Sequence, residues 1–145
     1  MSYSEATRYT PAKYEETVAF CRKRSKPIPK HTLYPRTRGF IATVNALRTS
    51  KHVAAVYDLT LAYSHGKMFL EPPSLWETLS TPNLSKKYRM HVHATRFPLE
   101  DLPRDDEQLA AWLEERWTEK GEVLEQLKES LSRGESWGGD MKKIE

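Results

Sequence analysis

Val53-Ala54-Ala55-Val56-Tyr57-Asp58-Leu59-Thr60-Leu61-Ala62-Tyr63 is the stretch on which the fold turns. It is rich in β-branched and aromatic residues, carries one charge, and has the length and texture of a buried strand. On its amino side, Phe40, Ile41, Val44 and Leu47 recur at helical spacing behind Pro35-Arg36-Thr37-Arg38-Gly39, which predicts an amphipathic helix about three turns long. A helix feeding a strand predicts an α/β unit.

Further toward the amino terminus, Thr10-Pro11 reads as an N-cap followed by proline in the first helical position. Tyr14, Val18 and Cys21 then share one face, which makes Cys21 a small core residue rather than a nucleophile. Lys26-Pro27-Ile28-Pro29 stops that helix, because neither proline donates an amide bond. Toward the carboxy terminus, residues 64–87 hold Gly66, Pro72-Pro73 and Pro82-Asn83 and read as a long, partly packed loop. Arg89 to Phe97 alternates Met90, Val92 and Ala94 with His91, His93 and Thr95, which predicts a half-buried strand with one polar face. Asp105 or Asp106 caps a last helix whose stripe is Leu109, Trp112, Leu113, Trp117, Leu124, Leu127 and Leu131. From Ser132 onward, three glycines and the loss of periodicity predict an unstructured tail.

At 145 residues, the chain has room for one domain or a piece of one. A mean hydropathy of −0.73 beside 10% aromatic residues describes a polar chain with a lean core. A piece of a domain would leave apolar faces open. The single cysteine excludes an internal disulfide and a cysteine-rich zinc site, and suits a reducing compartment. No stretch is apolar for the ~20 residues that a membrane helix needs, and no basic start followed by an apolar run marks a secretory signal.

The net charge of +3 conceals two halves. Residues 1–65 carry 11 Lys/Arg against 4 Asp/Glu, whereas residues 66–145 carry 12 against 16. Seven basic side chains and no acidic one lie between Arg22 and Arg38, which suits phosphate groups or simply a solvated loop. Only Tyr34 in that run could stack on a base, so nucleic acid is not an expected partner. His91 and His93 share a strand face, but no third metal ligand lies near them in sequence, so no metal site is expected. Glu5-Ala6-Thr7-Arg8 precedes one helix and Arg36-Thr37-Arg38-Gly39 opens the next. Arginine forks and threonine hydroxyls beside helix N-termini are the chemistry of an anion site.

Those segments carry a family resemblance. Ser4-Glu5-Ala6-Thr7-Arg8 resembles the Glu-Gly-Thr-Arg block of glycerolipid acyltransferases, in a form associated with fungal members. Leu33-Tyr34-Pro35-Arg36-Thr37-Arg38-Gly39-Phe40 and Ala54 to Thr60 resemble segments of the branch that holds the 1-acyl-sn-glycerol-3-phosphate (lysophosphatidic acid) and lysocardiolipin acyltransferases. His91-Val92-His93, Phe97 to Pro103 and Leu113 to Lys120 look like its carboxy-terminal extension, so the likeness spans about residues 3–125 in order.

The resemblance implies a partial glycerol-3-phosphate acyltransferase-like α/β fold, a mixed sheet with flanking helices plus a carboxy-terminal helical extension. Residues 1–63 would be the later part of the catalytic domain, 64–131 the extension and 132–145 the tail. It implies acyl transfer from acyl-CoA, a co-substrate rather than a cofactor, to a lysophospholipid at the endoplasmic reticulum membrane, the full-length parent meeting the membrane surface. Glu5, Thr7 and Arg8 would hold the glycerol phosphate, and Arg36, Thr37, Arg38 and Gly39 would lie near a phosphate of substrate or coenzyme A. Asp58 and Tyr57 would lie near the floor of the site or simply pack in the strand. The family's catalytic base is a histidine followed five positions later by aspartate; none of His31, His52, His65, His91 and His93 has that spacing. The chain is therefore expected to be inactive alone. The alternative is a binding module for phosphate or anionic lipid without chemistry. Alanine at position 6, where glycine is commoner, narrows the allowed backbone.

Overall fold

A computed structural model describes residues 3–135. Helix α1 runs Pro11–Arg24, with the Thr10 hydroxyl accepting from the Lys13 amide and Ser25 in a left-handed cap. Its basic last turn, Arg22-Lys23-Arg24, lies at the negative end of the helix dipole, which accounts for part of the basic run. Thr17 and Cys21 are its buried residues, with Tyr14 and Val18 half-buried. Helix α2, Thr37–Arg48, buries Phe40 and Val44 as its spacing predicts.

Strand β1 spans Ala55–His65 and lies between β2, Met68–Leu70, and β3, Arg89–Pro98, with both neighbours antiparallel. The chain thus mixes helix and strand, but its sheet is antiparallel throughout rather than mixed. The residues read as one long loop hold regular structure instead. Gly66 opens a two-residue hairpin at φ 56° that pairs His65 with Met68. Ser74 and Glu77 form a reciprocal capping box that starts α3, Leu75–Ser80, and a 3₁₀ turn follows at Leu84–Lys86. Ser-x-x-Glu was the sequence signal for α3.

Helix α4 runs Asp106–Arg133, about 42 Å at 1.5 Å per residue, capped by Asp105 at one end and by left-handed Gly134 at the other. It reaches past Leu131, so Ser132 and Arg133 are helical; the rest of the expected tail, residues 136–145, lies outside the described residues. The first half of α4 packs Leu109, Leu113 and Trp112 against Phe40, Val44, Leu99 and Leu102, and its second half packs Leu124, Leu127 and Leu131 on Ala62 and Phe69. Between these clusters Gly121 admits the 26–36 loop, since a Cβ there would stand 2.9 Å from the Lys30 carbonyl oxygen.

The strands meet α4 with the more polar side of their alternation. Register pairs Asp58, Thr60, Ala62 and Ser64 with Thr95, His93, His91 and Arg89 on the helix side, and Tyr57, Leu59, Leu61 and Tyr63 with Arg96, Ala94, Val92 and Met90 on the other. His91 and Thr60 are buried, whereas Met90 and Val92 are 59% and 49% exposed. Polar residues can face α4 because Lys120 donates to the Thr60 hydroxyl there and Ser64 bonds His91.

Candidate functional site

The two predicted blocks meet through the backbone. The Arg36 amide donates to the Ser4 carbonyl at 2.7 Å, and the Ala6 amide donates to the Tyr3 carbonyl at 2.9 Å, closing a turn with Ala6 at φ 55°. Residues 4–8 are thereby seated against the start of α2. No acidic residue occupies the first turn of α2, and no side chain caps it. Arg36, Arg38 and Gly39 are exposed and Thr37 is half-buried; among the described residues, neither guanidinium has a hydrogen bond or ion pair. Free amides, the positive end of the helix dipole and two uncommitted arginines make this the most cationic feature near the block.

Glu5, Thr7 and Arg8 diverge from one another. Glu5 turns inward: Trp117 Nε1 donates to its Oε1 at 3.2 Å, and the Leu33 amide donates to it as well. Burial raises its carboxyl above the usual range, opposed by those two donors and by nearby Lys120. Thr7 is exposed, with no side-chain partner among the described residues. Arg8 Nη2 donates to the Pro72 carbonyl at 2.6 Å. Its guanidinium lines a cavity of about 380 Å³ with Glu71, Ser74, Glu77, Lys87 and Tyr88. Glu77 bonds Lys87 and Tyr88 there, and those bonds together with its capping role hold its carboxyl down at about 2. Two cations and two carboxylates leave that cavity without a surplus of positive charge. A larger cavity of about 620 Å³ lies at the start of β1, lined by Arg48, Val53, Arg96, Leu99 and Arg104, and none of the predicted residues reaches it.

Asp58 packs rather than facing a site. Its carboxylate accepts from Lys120 Nζ at 2.6 Å, and the same ammonium donates to the Leu59 carbonyl at 3.0 Å and to Thr60 Oγ1 at 3.1 Å, 5.0 Å above the Trp117 ring. Trp117 and Lys120 are residues that the sequence reading did not assign to the site. Lys120 falls on the apolar stripe between Leu113 and Leu124, and a cation on a buried stripe implies a buried partner. Tyr57, by contrast, is on the outer face.

The two strand histidines differ in setting, His91 being buried and His93 exposed. His91 bonds Ser64 Oγ at 2.8 Å, and burial, then the charge of Arg89, lowers its pKa. Among the described residues, no group of three or more His, Cys, Asp or Glu is placed to hold a metal ion. Cys21 is buried, and burial, then Glu114, raises its thiol. Among the described residues, no helix is long and apolar enough to cross a membrane.

Residues 83–143 match the family model described as the acyltransferase C-terminus. The chain is 39% identical over 124 residues to human 1-acyl-sn-glycerol-3-phosphate acyltransferase delta and 38% identical over 123 residues to the human gamma protein. Mouse gamma is 37% identical over 127 residues. These alignments take in 85–88% of this chain but 30–31% of each relative, so the chain spans less than a third of their length. No solved structure matches it. The family model and the relatives together support kinship with the acyltransferase family.

Proposed function

We propose that this chain is part of an acyltransferase that moves an acyl group from acyl-CoA to the free hydroxyl of a lysophospholipid such as 1-acylglycerol-3-phosphate, at the endoplasmic reticulum membrane. The observation that carries the reading is the seating of residues 4–8 against the first turn of α2 by the Arg36–Ser4 backbone bond, in a chain similar to the delta and gamma acyltransferases. Thr7 and Arg8 hold the glycerol phosphate on this reading, and Glu5 supports them by anchoring the loop to Trp117 and Leu33. Arg36 and Arg38, with the free amides of Thr37 to Gly39, take a phosphate of the substrate or of coenzyme A. The hydroxyl proton must leave as the oxygen attacks the thioester carbonyl, and the thiolate of coenzyme A must gain a proton on departure. No histidine of this sequence has the spacing of the family's base, so the chain binds without turning over.

Titrating the chain with glycerol 3-phosphate while following Trp117 fluorescence tests the site. Saturable binding that weakens about tenfold on Arg8→Ala or Arg36→Ala is the expected result, in line with loss of one charge-assisted bond. Equal binding by both variants removes the site assignment. Turnover of acyl-CoA and lysophosphatidic acid by the chain alone overturns the claim that it lacks a base. Binding module without chemistry is the second reading, favoured by the uncommitted arginines at α2; retention of binding with no activity in any longer polypeptide would select it.

A further inference from the structure

Helix α4 covers one face of the sheet over β1 and β2, with His93 of β3 still exposed there; the other face is open and is the more apolar. Toward α4, β1 presents Asp58, Thr60, Ala62 and Ser64, and β3 presents His91, His93 and Thr95. Away from α4, β1 presents Tyr57, Leu59, Leu61 and Tyr63, and β3 presents Met90, Val92, Ala94 and Arg96. Tyr57 is 65% exposed and Leu61 51%. Antiparallel sheets that end at water put their polar alternation outward. Here the alternation runs the other way in both strands, and β1 reads as a strand meant for burial on two faces. Helix α3, tied by Glu77 to Lys87 and Tyr88 just before β3, exposes Leu75, Trp76 and Leu79 as well. Exposed Tyr57, Leu59, Leu61, Met90 and Val92 on two paired strands form an apolar patch of the kind that marks an interface.

Charge and length identify what covers it. Arg96 is the one permanently charged residue that β1 and β3 present on this face, which is poor in the cations that hold a protein to anionic lipid. The relatives are more than three times as long as the stretch that they share with this chain, and the family model that matches it is a carboxy-terminal one. We propose that this face is an internal seam, closed by the polypeptide that precedes the matched region in such acyltransferases. The proposal rests on the acyltransferase reading. A second helical layer with an apolar face and a carboxylate opposite Arg96 is the chemistry that fits, and it completes a sheet buried on both sides, as α4 completes the first side.

Cysteine labelling tests it. Leu61→Cys, and separately Ala94→Cys as the milder change, place a thiol on the face, Glu122→Cys places one on the exposed side of α4, and buried Cys21 stays silent. Labelling with a charged thiol reagent is measured in the chain alone and in the chain joined behind the preceding portion of the human delta relative. In the joined polypeptide the two face positions are expected to slow about tenfold or more, as burial does to solvent-borne reagents, while position 122 stays fast. Equal rates overturn the seam. Concentration-dependent protection in the chain alone assigns the face to a second copy, and protection only by vesicles of neutral and phosphatidic acid lipid assigns it to a membrane; either overturns the proposal. Acyl transfer by the joined polypeptide is scored separately. Protection without activity leaves the seam and removes the functional reading, and activity without protection does the reverse.

Discussion

Ala6 takes φ 55°, a left-handed conformation that costs a side-chain-bearing residue about 1–2 kcal/mol and glycine almost nothing. The turn persists because the Ser4 carbonyl is held by Arg36 and the Glu5 carboxylate by Trp117 and Leu33. Ala6→Gly is therefore expected to raise stability by about 1 kcal/mol in a urea melt, after allowing for the greater freedom of glycine in the unfolded chain. No gain would mean that the turn is not left-handed in solution. His91 is the second residue with a definite consequence. Burial lowers its pKa below 6.5, so between the folded value and 6.5 the unfolded chain binds a proton that the folded chain refuses. Stability should be full above pH 6.5 and fall as pH drops below it; His91→Gln should flatten that part of the profile, measured by thermal midpoint against pH.

At the scale of elements, the clamp between α4 and β1 is the bond set of Lys120. Its ammonium is buried and meets Asp58, the Leu59 carbonyl and Thr60. Lys120→Met leaves the Asp58 carboxylate without its cation and should cost about 3 kcal/mol, with Lys120→Met and Asp58→Asn together costing less than the single change. An additive double variant would show that the pair is not coupled. Elements with a local signal were legible in advance: Thr10-Pro11 for α1, the Phe40/Val44 spacing for α2, and Asp105 with the leucine stripe for α4. Two elements escaped the reading: α3, whose Ser74-x-x-Glu77 signal lay inside a proline-rich stretch, and β2, whose three residues are too few to show a period. Orientation of β3 was illegible for a different reason. Alternation shows that two faces differ, and only the tertiary partner decides which is buried. Of the site, the arginine-threonine segments were visible as types, but the inward turn of Glu5 depends on Trp117, 112 residues away.

For the molecule as a whole, α1 is the loosest part. It is held by Thr17 and Cys21 and by the Phe20–Tyr34 and Tyr9–Tyr14 ring contacts, and it takes no part in the two apolar clusters that join α4 to α2 and to the sheet. Its amides are expected to exchange with deuterium well before those of β1 and α4, in a separate unfolding step; exchange of all three together would refute that. The central position of β1 has a consequence for the order of assembly. Both sheet neighbours and the Lys120 clamp depend on it, so neither β2, β3 nor the second half of α4 has a surface to dock on until β1 is extended. Pairing β1 with β3 must also close the intervening chain, an entropic toll met before most of the core forms. Folding should accordingly be slowed by a truncation in β1 such as Ala62→Gly, whereas Cys21→Ala in α1 should leave the folding rate alone and hasten unfolding. The strand that organises the finished molecule is thus also its kinetic bottleneck.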